Sequence, residues 1–172
     1  EPRNVNDYWN WTQSAIDVAD AKLGAENVAF TTGNHELDSN DGKYDPNTTY
    51  TTGTQSSFSV DKLVKETDLY EVYCMGCTSS SQSSGGYSST QISKLTTYLN
   101  GVDTNSRKIY FIASHYPLHY FNSRRTANAD SVINAINTAV NSKKIKVVFV
   151  WGHNHSERDS NYNKIYFPGD TL

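Results

Sequence analysis

No apolar stretch in this chain approaches the ~20 residues that a membrane-spanning helix needs, so none is expected to cross a bilayer as a helix. Charge is also scarce. Asp, Glu, Lys and Arg make up 19% of the residues and leave a net charge of −3, which gives no basic patch for a nucleic-acid backbone. Cysteine is scarcer still: only Cys74 and Cys77 occur, in Cys74-Met75-Gly76-Cys77. A zinc knuckle needs a second such pair, and a redox motif needs a helix behind it, whereas a Ser/Gly-rich stretch follows here. The pair therefore reads as two buried thiols or a small local disulfide. No internal repeat, domain linker or secretory leader is visible, and Glu1 need not be the native first residue.

Neutral polarity takes the place of charge. Asn, Ser, Thr and Tyr are abundant, a surface commoner in exported proteins, so an extracellular or cell-surface location is the expectation. Asn10-Trp11-Thr12 and Asn47-Thr48-Thr49 fit the glycosylation tripeptide, a pattern that also arises by chance. A chain of 172 residues suits one domain with a real core, and two would be crowded.

The local patterns alternate between helix and strand. Residues 6–23 read as a helix with Trp9, Thr12, Ile16, Ala19 and Leu23 on one stripe and Gly24 just past its end. Residues 38–59 read as a long polar loop, and 60–65 as a short helical turn. Leu69-Tyr70-Glu71-Val72-Tyr73-Cys74 alternates like a strand with one covered face. Ser89 is placed to cap a helix over 90–100 with Ile92, Leu95 and Leu99 inward and Gly101 after it. A further helix over 127–141 buries Val132, Ile133, Ile136 and Val140, and Ile165-Tyr166-Phe167 reads as a last strand. This order predicts an α/β layered fold with a mostly parallel central sheet flanked by helices.

Three short apolar runs share one construction. Val28-Ala29-Phe30-Thr31-Thr32 leads into Gly33-Asn34-His35-Glu36. Ile109-Tyr110-Phe111-Ile112-Ala113-Ser114 leads into His115-Tyr116-Pro117. Val147-Val148-Phe149-Val150-Trp151, which reads as a buried strand, leads into Gly152-His153-Asn154-His155. In open α/β sheets functional loops gather beyond the carboxyl ends of the strands. If the three runs are parallel neighbours, His35, His115, His153 and His155, four of the five histidines, share one rim. Imidazole is the commonest protein metal ligand, and an Asn amide oxygen is a further donor. Each feature also has a plainer reading: a polar turn for His153 and His155, a half-buried histidine for His115, a turn residue for Asn34 or His35. His119 suits solvent or substrate contact better than ligation. Arg124-Arg125 reads as a solvated loop before a phosphate clamp, and the three tryptophans as core or sheet cover.

The ordered set Gly33-Asn34-His35-Glu36, then His115 in Ser-His-Tyr-Pro-Leu, then Gly152-His153-Asn154-His155 resembles the calcineurin-like metallophosphoesterases. The extension Ser156-Glu157-Arg158, and the Glu36 after Gly-Asn-His, look closest to the purple acid phosphatase branch. The resemblance covers nearly the whole chain as one domain. It implies a metallophosphoesterase fold and hydrolysis of a phosphoester substrate at a dinuclear centre of divalent or trivalent ions (Zn, Mn or Fe), with metal-bound hydroxide as the nucleophile. Asn34, His115 and His153 would ligate one metal and His155 the other. His35 would be catalytic, stabilising charge on the phosphate and protonating the leaving alkoxide. Glu36 would play a supporting part.

The family's first two motifs, Asp-x-His and Gly-Asp-x-x-Asp or Gly-Asp-x-x-Tyr, do not occur here, and no histidine precedes His35. The expectation is a domain truncated at its N-terminus, its first strands and carboxylate ligands lying in a missing N-terminal segment of the same protein. The segment alone would then be inactive and hold metals weakly, since four neutral ligands retain two dications poorly. Two rivals stand beside the phosphoesterase: a catalytically incomplete domain serving as a binding or scaffold module, and a mononuclear zinc hydrolase acting on an amide.

Overall fold

The computed structural model describes residues 5–29, 31–33, 51–52, 55–56, 61–77, 85–118 and 126–153, with the backbone alone described for 5–12, 51–52 and 55–56. In chain order the elements are α1 (Val5–Leu23), a 3-10 turn (Ala25–Asn27), β1 (Thr51–Thr52), β2 (Gln55–Ser56), β3 (Lys62–Glu66), β4 (Tyr70–Cys74), α2 (Ser89–Gly101), β5 (Ile109–Ala113), α3 (Ala129–Lys143) and β6 (Lys146–Val150). β1 and β2 form a small antiparallel pair within the polar loop read from the sequence. The main sheet runs β3-β4-β5-β6. Its first pairing is antiparallel and the other two are parallel. The α/β reading with a mostly parallel sheet holds.

Alternation along the strands sorts the side chains. Tyr73, Tyr110 and Ile112 are buried, and Val147 and Phe149 half-buried, against Leu95 and Leu99 of α2 and Val132 and Ala139 of α3. A pleated strand points successive residues to opposite faces, so these residues share the helix-covered side of the sheet. Their burial removes most of the apolar surface that stabilises the domain, about 25 cal/mol per Å². α2 begins with a capping box: the Gln91 amide N–H donates to Ser88 Oγ, and the Ser88 amide donates to Gln91 Oε1. The cap is thus Ser88, one residue earlier than Ser89, and Gly101 closes the helix rather than following it.

Several expectations are corrected. Residues 62–66 are the strand β3, not a helical turn. Thr67 makes the hairpin: its amide donates to Tyr70 O, and its hydroxyl oxygen accepts from the amide of Tyr70. The described part of 28–33 is not a strand. Both edges of β4 are taken, by β3 and β5, so Thr31 and Thr32 reach the chain beyond β4 through their hydroxyls. Among the described residues, β6 is an edge strand, and its alternate side chains are exposed rather than buried. Val148 and Val150 are 41% and 50% exposed because they point away from both helices. In α1, Ile16 is buried as expected, but Leu23, the last residue of the helix, is 61% exposed. Gly24 beyond it takes the positive φ (84°) that favours glycine, and its amide donates to Asp20 O. α3 lies two residues later than read, with Val132 fully buried and Ile133, Ile136 and Val140 half-buried. Cys74 and Cys77 are separate buried thiols. The strand read at Ile165-Tyr166-Phe167 lies outside the described residues. Among the described residues, no helix is long and apolar enough to cross a membrane.

Candidate metal centre at the carboxyl end of the sheet

β5 and β6 run side by side with Ala113 opposite Val150, so the residues that follow them emerge together. The alignment continues past the last strand residues. The Ser114 amide donates to Val150 O at 2.9 Å, and the Gly152 amide donates to His115 O at 3.2 Å. These bonds bring the side chains of His115 and His153 onto the same spot. His115 Nε2 and His153 Nδ1 lie 2.9 Å apart, and the ring centroids 4.8 Å, with the planes crossing at 74°. Without a metal, this is a hydrogen bond in which one ring carries the proton and the other accepts it.

His153 adopts φ 68°, a left-handed conformation uncommon for any side chain but glycine, though histidine is enriched there. Such backbone outliers cluster at functional sites, where the surroundings hold them in place. Gly152 does not owe its identity to crowding, since an added Cβ would make only ordinary contact with His115 Nδ1 at 3.9 Å.

A third segment reaches the same end of the sheet. Thr31 Oγ1 donates to Met75 O at 2.6 Å, and the Cys77 amide donates to Thr32 Oγ1 at 3.2 Å. Met75 and Cys77 lie just beyond β4, and the Met75 amide donates to Ala113 O on β5. Gly33, the first residue of the first histidine motif, is buried there. Two of the three histidine-bearing loops thus start from the carboxyl ends of the adjoining parallel strands β5 and β6, and Gly33, which follows no strand among the described residues, is tethered at the same end through Thr31 and Thr32.

Tyr116 sits beneath the imidazole pair, fully buried. Its ring meets His115 at 5.3 Å and 69° and His153 at 4.8 Å and 66°, both edge to face. Burial first, and then the neighbouring Cys77 side chain, raise its hydroxyl pKa well above the ordinary tyrosine value. Its carbonyl accepts from the Tyr87 hydroxyl at 2.5 Å, which also lies 3.1 Å from Ser114 Oγ. Tyr87 is held in turn by the Asn128 side chain, which donates to its carbonyl, and by the close pairing of Gly86 with Ala127. Sequence reading missed Tyr87, Cys77 and Tyr116 as parts of the site. Only the position of Tyr116, between His115 and Pro117, hinted at it.

Of the residues read as candidates, the structure brings His115 and His153 together. Asn34, His35, Glu36, His119, Arg124, Arg125 and His155 lie outside the described residues. Among the described residues, no group of three or more His, Cys, Asp or Glu side chains is gathered for a metal. The two imidazoles alone fit one ion. Nitrogens bound to a single metal at about 2.0–2.1 Å stand roughly 2.9–3.4 Å apart, and the observed separation falls at the short end. A scan against protein-family models, a search of curated proteins and a search of solved structures each give no match.

Proposed function

We propose that this chain is a metallophosphoesterase domain of the calcineurin-like type, hydrolysing phosphoesters at a two-metal centre. One observation carries the reading: two histidines from separate motifs, 38 residues apart in sequence, place ring nitrogens 2.9 Å from each other beyond adjacent parallel strands. The anchoring of Thr31 and Thr32 at the same end, just before Gly33, supports it. Asn34, His115 and His153 would hold one ion, and His155 the other. When bound, the ions supply Lewis acidity at phosphoryl oxygens and lower the pKa of water.

The protein's own residues then divide the remaining work. His115 and His153 fix the ion against the rigid sheet, and the edge-on Tyr116 ring keeps water from beneath them. His35 lies one residue beyond Asn34 in the first motif. From there it serves the phosphate, donating to its oxygens and giving its proton to the departing alkoxide. Substrate choice falls to the polar loops 38–59 and 78–88.

The test is metal-dependent hydrolysis of an aryl phosphate by the full-length protein, compared with His35→Ala and His153→Ala. Loss of turnover in both variants is expected. Full activity in either variant, or no metal-dependent activity in the parent, overturns the reading. In the second case, a scaffold domain built on the same histidine rim takes its place, as the lack of Asp-x-His in this chain would favour.

A further inference from the structure

We propose that Tyr116 is the positioning residue of the imidazole pair, its buried ring holding the orientation of both His115 and His153. The inference deepens the two-metal reading and rests on it for its metal arm. Three observations converge on Tyr116. Its ring is the one aromatic surface, among the described residues, that touches both His115 and His153, and it does so edge to face with each. It is only 2% exposed, so the two imidazoles rest on a surface that cannot move away into solvent. It is gripped at its backbone, where its carbonyl accepts from the Tyr87 hydroxyl. The Tyr87 ring completes the grip, edge to face with Tyr116 at 6.5 Å.

A shift of the Tyr116 ring moves the surface on which both imidazoles lean. Neighbours of metal ligands commonly set ligand orientation, and their removal costs metal affinity on the order of ten- to a hundredfold.

Two variants separate the ring from its hydroxyl. Tyr116→Leu removes the ring, with Tyr116→Met as the closer-volume substitute should the leucine variant not fold. Tyr116→Phe keeps the ring and deletes the hydroxyl. The first readout is metal-free: nitrogen-15 correlation spectra of the histidine rings, which report the proton shared between His115 and His153. The parent and Tyr116→Phe are expected to keep the shared proton, and Tyr116→Leu to lose it. A shared proton that survives in Tyr116→Leu or Tyr116→Met overturns the positioning role, and loss in Tyr116→Phe overturns the assignment of that role to the ring.

The second readout is titration with cobalt(II), followed by its visible absorption. Affinity is expected to fall roughly tenfold in Tyr116→Leu, with a changed band shape, and to stay within about twofold of the parent in Tyr116→Phe. An unchanged affinity and spectrum in Tyr116→Leu overturns the inference. If the parent itself binds no cobalt, the two-metal reading fails, and the nitrogen-15 spectra alone decide whether Tyr116 positions the pair.

Discussion

The amide of Cys77 donates to the hydroxyl oxygen of Thr32 at 3.2 Å, a buried bond that spans 45 residues of sequence. It anchors the first histidine motif to the chain beyond β4, where no ladder of backbone bonds does so. Thr32→Val removes the acceptor and leaves a buried N–H without a partner, which costs about 1–3 kcal/mol. Thr32→Ser keeps the oxygen and most of the stability. Urea denaturation of the three proteins checks the ranking, and equal midpoints for parent and valine variant would count against the anchor.

Gly86 and Gly152 respond differently to alanine. A Cβ on Gly86 would come within 2.2 Å of the Ala127 carbonyl oxygen, a backbone atom that cannot swing aside. Gly86→Ala therefore forces the 85–88 loop off Ala127 and releases Tyr87, lowering both stability and metal affinity. Gly152→Ala meets nothing closer than His115 Nδ1 at 3.9 Å, so it leaves stability within about 0.5 kcal/mol of the parent. Thermal melts of both variants test the contrast. A motif glycine is the tolerant one, and an unremarked loop glycine is the strict one.

Glu66 and Glu71 stand opposite each other in the β3–β4 hairpin, a repulsive placement for like charges. Lys108 Nζ resolves it by meeting Glu71 at 2.8 Å and Glu66 at 2.9 Å. Tyr98 adds a hydroxyl donated to the other Glu71 oxygen. Lys108→Met is expected to lower the melting temperature, and adding Glu66→Gln to that variant to restore part of the loss. If the double variant melts no higher than Lys108→Met, the carboxylates do not repel each other in the folded protein.

Stability is expected to hold to about pH 9 and to decline above it. Burial pushes the Cys74 thiol up to about 11 from an ordinary value near 9. Tyr73, Tyr87, Tyr98 and Tyr116 are all raised, chiefly by burial, and Lys108 is raised by its bonds to Glu71 and Glu66. A group whose folded pKa exceeds its unfolded one binds its proton more tightly when folded. Its contribution is complete below the unfolded pKa and disappears as pH rises through the folded one. Denaturation midpoints measured from pH 7 to 11 check this. A midpoint that rises between pH 9 and 11 refutes it.

If Asn34, His115, His153 and His155 are the ligands, as proposed, those four side chains bring no negative charge to neutralise two dications. Partial occupancy is the expected result of elemental analysis after desalting, and two tightly held ions per chain would contradict it.

Much of the fold was legible in the sequence because its signals are local. The alternating pattern of 69–74, the two apolar runs that became β5 and β6, and the helical spacing of Ile92, Leu95 and Leu99 all report backbone period directly. What was illegible depends on who sits next to whom. Residues 62–66 carry no strong period of their own and become a strand only because β4 offers an edge. Residues 28–32 look like a strand but find both edges of β4 occupied. The exposure of Val148 and Val150 follows from their lying on the face of the sheet turned away from both helices, which an unbroken apolar run does not reveal. At the site, the motif histidines could be picked out by residue type. The floor beneath them could not, because Tyr87, Cys77 and Tyr116 meet only through tertiary contacts.

The two parallel pairings, Tyr70 with Ile109 and Ile109 with Lys146, each close a loop of roughly forty residues. Loop entropy must be overcome before either pairing returns any stabilisation, so the sheet grows slowly, and β6 is the last of the described strands to leave the ribosome. His153 follows directly behind it. The histidine pair therefore cannot form until His153 has been synthesised and β6 has docked on β5.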